Sequence, residues 1–169
     1  MFVCTGNICR SPTAERLAAA YDARFHIPDF TVSSAGTRAV IARPIHPYAA
    51  VVLEELGADA SNFAARQLTS KIAAAADLVL TMTKAHRDTV LELAPQQLRK
   101  TFILSEAARL ISECNAQNVA DLAALRPQLT PHEACDIPDP IGETKEVFAM
   151  VGAQIADLLS PILQFCQHD

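Results

Sequence analysis

Apolar residues recur along this chain as helical stripes separated by short apolar runs, the pattern of a protein that alternates strands and helices. Phe2-Val3 is a strand stub that runs into a polar, Gly-containing segment. Beyond it Ala14, Leu17, Ala18, Tyr21 and Phe25 fall at i, i+3, i+4, i+7 and i+11. That spacing predicts one buried helix face, with Ser11 as N-cap, Pro12 as first helical residue and Pro28 beyond the end. Residues 31–35 read as a short strand closed by Gly36, and Tyr48, Val51, Val52 and Leu56 predict a second amphipathic helix stopping at Gly57. Residues 78–82 form an unbroken apolar strand of the kind buried on both faces, Thr83 can cap a helix running to Leu93, and residues 101–104 read as a fourth strand.

Residues 105–130 accommodate one or two short helices, and the proline-rich residues 127–140 must be loop, because proline there blocks both helix interior and central strand. A connection of that length is often functional. Val147, Val151, Ile155, Leu158 and Ile162 share one stripe of a final helix, which Pro161 is expected to kink or end. Strands and helices in alternation imply an α/β fold. The expectation is a single-domain three-layer sandwich over residues 1–169, with a central four-stranded parallel sheet and helices on both faces. No internal repeat or linker divides it.

Composition narrows the function classes. Half the 169 residues are apolar and a fifth are charged, which excludes a disordered chain. One core burying roughly 70% of the unfolded surface is expected at this length. A net charge of -5, with no stretch concentrating Lys and Arg, argues against nucleic-acid partners, so any anion site must be local. The five cysteines, without a signal peptide ahead of Cys4 or an apparent bilayer-spanning apolar run, suggest reduced thiols in the cytoplasm and no membrane insertion. The very short first strand raises the expectation of a native start a few residues upstream of Met1.

The most informative segment is Cys4-Thr5-Gly6-Asn7-Ile8-Cys9-Arg10-Ser11-Pro12. A loop that follows a strand and opens a helix turns several backbone N–H groups toward one point, where the helix dipole adds partial positive charge. Cys4 begins that loop, in a field that favours a thiolate over a thiol. Arg10 lies where the loop has curled back, and its planar fork can hold two phosphoryl oxygens. Ser11 can donate to the Cys4 sulfur, and Gly6 can supply backbone freedom for the curl. The segment lacks the Gly-Lys-Ser/Thr ending of a nucleotide-binding loop. A cysteine followed by an arginine is by itself uninformative, since a cysteine after a strand is more often an inert core residue. The complete string at a strand-to-helix junction points to phosphate chemistry.

That string, together with Ser34-Ala35-Gly36-Thr37, Ala65-Arg66-Gln67-Leu68, residues 76–82 and Asp139-Pro140, resembles the low-molecular-weight protein tyrosine phosphatase family over most of the chain. The resemblance implies hydrolysis of phosphotyrosyl proteins through a cysteinyl-phosphate intermediate, without metal or cofactor. It assigns Cys4 as nucleophile, Thr5, Gly6, Asn7, Ile8, Cys9 and Arg10 as the phosphate-binding loop, Ser11, Asn7 and Ser34 as supports, and Asp139 as acid and then base. Read without it, Asp139-Pro140 is simply a turn signal. The nearby Asp136 lacks the following proline.

Three features depart from or refine the family pattern. Phe63 stands where a supporting histidine is usual. Thr37–Ile41 and Asp139–Gly142 contain no aromatic residue, so contacts to a tyrosyl ring fall to Val40, Ile41 or Ile141. Ile8 stands where the family's arginine phosphatases carry threonine, which favours an aryl leaving group and leaves arginine phosphatase as the alternative. Phe63 and the missing aromatics also motivate a reading from another class, a phosphate-binding or redox-sensing module without turnover. The family further implies a possible Cys4–Cys9 redox pair, against which stands an inert, buried Cys9. Cys114 and Cys135 are too far apart to act as the relay pair of arsenate reductases on this fold. Those two and Cys166 lack zinc-ligand spacing. His26, His46, His86, His132 and His168 read as surface or cap residues.

Overall fold

The computed structural model describes residues 1–129 and 135–167. His132, His168 and part of the expected 127–140 loop therefore lie outside the described residues. Four strands, β1 (Phe2–Cys4), β2 (Ser34–Gly36), β3 (Val79–Thr81) and β4 (Thr101–Ile103), pair in parallel in the order β2-β1-β3-β4. Each is fully buried, as the apolar runs require of a sheet covered on both faces.

Pleating divides the strands between two cores. Phe2, Cys4, Leu80, Met82 and Phe102 face a cluster with α1 (Arg10–Phe25), α5 (Leu104–Ser112), α6 (Val119–Leu125) and α7 (Lys145–Cys166). Val3, Ala35 and Val79 face the other way, onto α3 (Ser70–Ala74) and α4 (Lys84–Leu93). The three-layer α/β arrangement is as expected. Helix α2 (Pro47–Glu55) lies outside α1 and α7, and Val52 approaches Gly152 so closely that a Cβ there would collide with it.

Several local expectations are corrected. Helix α1 starts at Arg10, with Cys9 in the N-cap position, so Ser11 lies inside the first turn and its hydroxyl is left for the site. Phe25 is half exposed, stacked on Tyr21 rather than buried. On α2 the buried stripe is Ala49, Val52 and Leu53, because these meet α1 and α7, whereas Tyr48, Val51 and Leu56 are substantially exposed. Residues 104 and 105 open α5 directly from β4. Helix α7 continues through Pro161, where Leu159, Ile162, Leu163 and Phe165 are buried around the proline and hold both sides of it to the core. At 22 residues and a mean hydropathy of 1.4, α7 is long and apolar enough to cross a membrane by length and composition, contrary to the sequence count. Here Phe148, Val151, Ile155 and Leu159 bury its inner stripe.

The strand order makes one crevice. The chain leaves β1 for α1 on one face and leaves β3 for α4 on the other, so the loops after these adjacent strands part at their C-terminal ends, where ligands bind in open α/β sheets. A cavity of about 590 Å³ lies at the opposite end of the sheet, beside Met1, Phe30, Leu78 and Phe165.

Candidate active site

Cys4 ends β1, and residues 5–9 curl from it into the N-terminus of α1. Outer loops hold this curl by its carbonyls: Thr37 N–H donates to Cys4 O, Arg38 N–H to Thr5 O, Val40 N–H to Gly6 O and His46 N–H to Ile8 O, at 2.7–3.0 Å. Among the described residues, no backbone carbonyl takes the N–H groups of residues 6–9, which remain available to an anion. The left-handed residue of the curl is Asn7, at φ 54°, not Gly6. A Cβ on Gly6 would make only ordinary contacts with Ile8 and Val40, whereas one on Gly36 would lie 2.5 Å from Thr5 O. The glycine this loop requires is its neighbour on β2.

Asn7 is fully buried and fixes the polarity of the hydrogen bonds behind the loop. Its Oδ1 accepts from Arg66 N–H at 2.9 Å, so its Nδ2 donates to Ser11 Oγ at 2.9 Å and to Ser34 Oγ at 2.8 Å. Ser34 Oγ in turn donates to Glu15 Oε2 at 2.6 Å. Ser11 Oγ, already an acceptor from Asn7, has its one hydrogen to give to Cys4 Sγ at 3.0 Å. The sequence reading found Ser11, Asn7 and Ser34 but missed Glu15, whose carboxylate terminates the chain of donors.

Arg10 is 4% exposed, and its guanidinium reaches across the crevice. Nη1 donates to Ile137 O at 2.9 Å, and Nη2 lies 2.6 Å from Asp139 Oδ2. The Asp139 side chain is 47% exposed, at the mouth of the loop. Asp136 is spent elsewhere, its Oδ1 accepting from Lys84 N–H at 2.8 Å. Ile137 N–H bonds Met82 O at 2.9 Å, which pins this segment to the end of β3. Pro140 is buried, and Val40, Ile41 and Ile141 are exposed by 45%, 65% and 46%.

Cys9 packs with Ile45, Leu53 and Phe148, and burial pushes its thiol up to about 12. Of the described histidines, His46 caps α2 and His26 caps the end of α1, as expected. His86 does not fit that reading. It is 7% exposed, and its Nε2 lies 2.8 Å from Thr5 Oγ1 in the loop. Nothing in the sequence joins those two residues, which lie 81 positions apart. No group of three or more His, Cys, Asp or Glu side chains that could hold a metal occurs among the described residues.

Residues 1–112 match the model of the low molecular weight phosphotyrosine protein phosphatase family. The chain belongs to that family. It is 32% identical over 151 residues to the low molecular weight protein-tyrosine-phosphatase Wzb of Escherichia coli K12, covering 89% of this chain and 83% of that one. Among solved structures, Vibrio vulnificus Wzb in complex with benzylphosphonate superposes with a TM-score of 0.74 at 29% identity, over 96% of this chain and 94% of that one. The YwlE arginine phosphatase from Geobacillus stearothermophilus gives 0.75 at 29% identity, over 96% and 88%. Within the family Phe63 is a departure, since a phenyl ring cannot hydrogen-bond to the loop supports. It lies under the Arg16 guanidinium at 5.5 Å, and the Ser34 hydroxyl goes to Glu15.

Proposed function

We propose that this member of the phosphatase family hydrolyses phosphotyrosine in proteins through a phosphorylated Cys4. The contact that carries the reading is Arg10 to Asp139, which sets a carboxylate at the mouth of the loop whose base is the Cys4 sulfur. The phosphoryl group would bind the amides of residues 5–10 and the Arg10 fork. Taking that fork releases Asp139 from its ion pair and leaves its carboxyl free to face the departing oxygen.

Cys4 Sγ then attacks phosphorus as the P–O bond to the tyrosyl ring breaks, and Asp139 gives its proton to the departing oxygen, whose conjugate acid has a pKa of about 10. In the second half, water attacks phosphorus, Asp139 accepts its proton, the S–P bond breaks and inorganic phosphate leaves with the Cys4 thiolate restored. Ser11 stabilises that thiolate both as attacking and as leaving group. Neither half-reaction calls for a metal or a cofactor. Reduced cysteines suit a cytoplasmic setting, with phosphotyrosyl proteins as the partners.

Phosphoarginine is the second reading, supported by the likeness to the YwlE arginine phosphatase. Ile8 weighs against it by presenting an aliphatic wall beside Gly6 and Val40. Turnover of phosphotyrosyl, phosphoarginyl and phosphoseryl peptides by the protein and by its Cys4→Ala, Asp139→Ala and Ile8→Thr forms tests both. The expected result is a phosphotyrosine preference lost in the first two and a gain of phosphoarginine activity only in the third. No turnover on any peptide would leave a phosphate-binding module without chemistry.

A further inference from the structure

We propose that His86 is a positioning residue that ties the phosphate loop to the acid segment, so that Cys4 and Asp139 address the same phosphoryl group. The proposal rests on the hydrolase reading above. The phosphate loop follows β1, while the acid segment is anchored at the end of β3 and the start of α4, across the crevice where the two chain paths part. Two structures that diverge there need a link between them. His86 sits in the first turn of α4 and crosses the gap: Nε2 lies 2.8 Å from Thr5 Oγ1, Nδ1 lies 2.9 Å from Thr83 Oγ1, and its backbone N–H donates to the same Thr83 oxygen at 3.2 Å.

The far side of this link is the acid segment itself. Lys84 N–H, one residue beyond Thr83, donates to Asp136, and Ile137 N–H donates to Met82 O, one residue before it. Asp136 and Ile137 in turn lead directly to Asp139. Thr5, His86, Thr83 and Asp136 thus form a continuous path from loop to acid that does not pass through Arg10. That independence matters, because the Arg10 contact to Asp139 is surrendered to substrate and the path through His86 is not.

A neutral imidazole has one donor and one acceptor, and both are used in either tautomer. Burial first, and the Arg10 charge second, lower the His86 pKa to about 4, while Asp139 and Asp136 oppose that shift. The imidazole therefore stays neutral and keeps its place at neutral pH. The phosphate loop does not depend on His86 for its own shape. The carbonyls of Cys4, Thr5, Gly6 and Ile8 are held by the outer loops, and Asn7 is held by Arg66. What His86 adds is the relation between loop and acid.

The test separates alignment from local support by the leaving group. In the first half-reaction, which kcat/KM reports, a phosphotyrosyl peptide needs the acid, whereas p-nitrophenyl phosphate releases a far more acidic phenol and needs it little. His86→Ala should lower kcat/KM on the peptide on the order of 10- to 100-fold, the cost of a small misalignment. Its loss on p-nitrophenyl phosphate should be several-fold smaller, and inhibition by inorganic phosphate should scarcely change. Thr5→Val cuts the same link from the other end, should show the same leaving-group-dependent loss, and serves if His86→Ala fails to fold. Combining the two should add little, and His86→Gln, which can still reach Thr5, should recover part of the activity. Equal losses of kcat/KM on both substrates, weakened phosphate inhibition or unchanged kcat/KM on the peptide would overturn the proposal. A wild-type protein without turnover on either substrate would overturn the hydrolase reading itself, and this proposal with it.

Discussion

Arg10 Nη2 lies 2.6 Å from Asp139 Oδ2, so the side chain proposed to bind phosphate and the side chain proposed to deliver the proton hold one another. In the proposed mechanism substrate displaces that contact and frees the Asp139 carboxyl for the leaving oxygen. Asp139→Ala should therefore have two opposed effects. Turnover of a phosphotyrosyl peptide should fall by about 100- to 10,000-fold, the usual worth of a positioned acid. Affinity for inorganic phosphate should rise roughly 2- to 5-fold, because a half-exposed ion pair is worth at most about 1 kcal/mol. Kinetics and titration calorimetry on the same variant read both, and weaker phosphate binding would contradict the account.

Asn7, oriented by Arg66 N–H, donates along two branches, one through Ser11 to Cys4 and one through Ser34 to Glu15. Ser11→Ala should slow alkylation of Cys4 by iodoacetate at neutral pH and cost about 1.5–3 kcal/mol, or roughly 10- to 150-fold, in turnover. Glu15→Gln should have a smaller effect, since Glu15 touches Ser34 and not the branch to Cys4. An unchanged alkylation rate in Ser11→Ala would contradict the assigned polarity.

Burial pushes the Cys9 thiol up to about 12, while Cys4 faces the loop. Fragment-resolved mass spectrometry after brief iodoacetamide treatment should find label on Cys4 and none on Cys9 until the protein is unfolded. A Cys4–Cys9 disulfide should accordingly form slowly under peroxide, because the resolving thiolate is scarce. Prompt Cys9 labelling would overturn this.

His86 has a lowered folded value of about 4 against an unfolded value of 6.5. The unfolded chain therefore binds the extra proton between these values, and stability should fall as pH drops through 6.5, the loss levelling off below about 4. His86→Gln should flatten this part of the profile. Urea midpoints of the two proteins across that range measure the difference, and parallel profiles would contradict it.

What the sequence disclosed follows from interaction range. The strand-loop-helix junction is local, so Cys4, Arg10 and Ser11 could be read in order, and Thr83 could be recognised as a cap that does accept from His86 N–H. Asp139 was reached by resemblance, since the Asp-Pro pair alone is a turn. Glu15 and His86 escaped because their partners, Ser34 and Thr5, lie 19 and 81 positions away, and neither residue type announces such a contact. On α2 the periodicity gave a stripe, but the neighbouring stripe of Ala49, Val52 and Leu53 is the buried one, with Gly152 of α7 leaving room for Val52. The helix start moved because Ser11 serves Cys4 rather than the helix end.

Gly36 offers a structural check that needs no assay of activity. A methyl group there would stand 2.5 Å from Thr5 O, between β2 and the phosphate loop, where backbone lies on both sides. Gly36→Ala should destabilise the protein by about 1–3 kcal/mol, and Gly6→Ala, which meets only ordinary contacts, by less. Denaturant unfolding of both variants compares them, and equal stabilities would contradict the assignment of the close approach to Gly36.

The proposed phosphoryl transfer to Cys4 is open to direct observation. In Asp139→Ala, p-nitrophenyl phosphate can still phosphorylate Cys4, but water then lacks its base, so the intermediate should accumulate. Acid quenching followed by mass spectrometry should find a single phosphoryl group on the Cys4-containing peptide, at sulfur, and none in Cys4→Ala. Turnover by the wild type with no adduct in either protein, or an adduct on any other residue, would contradict a mechanism through Cys4.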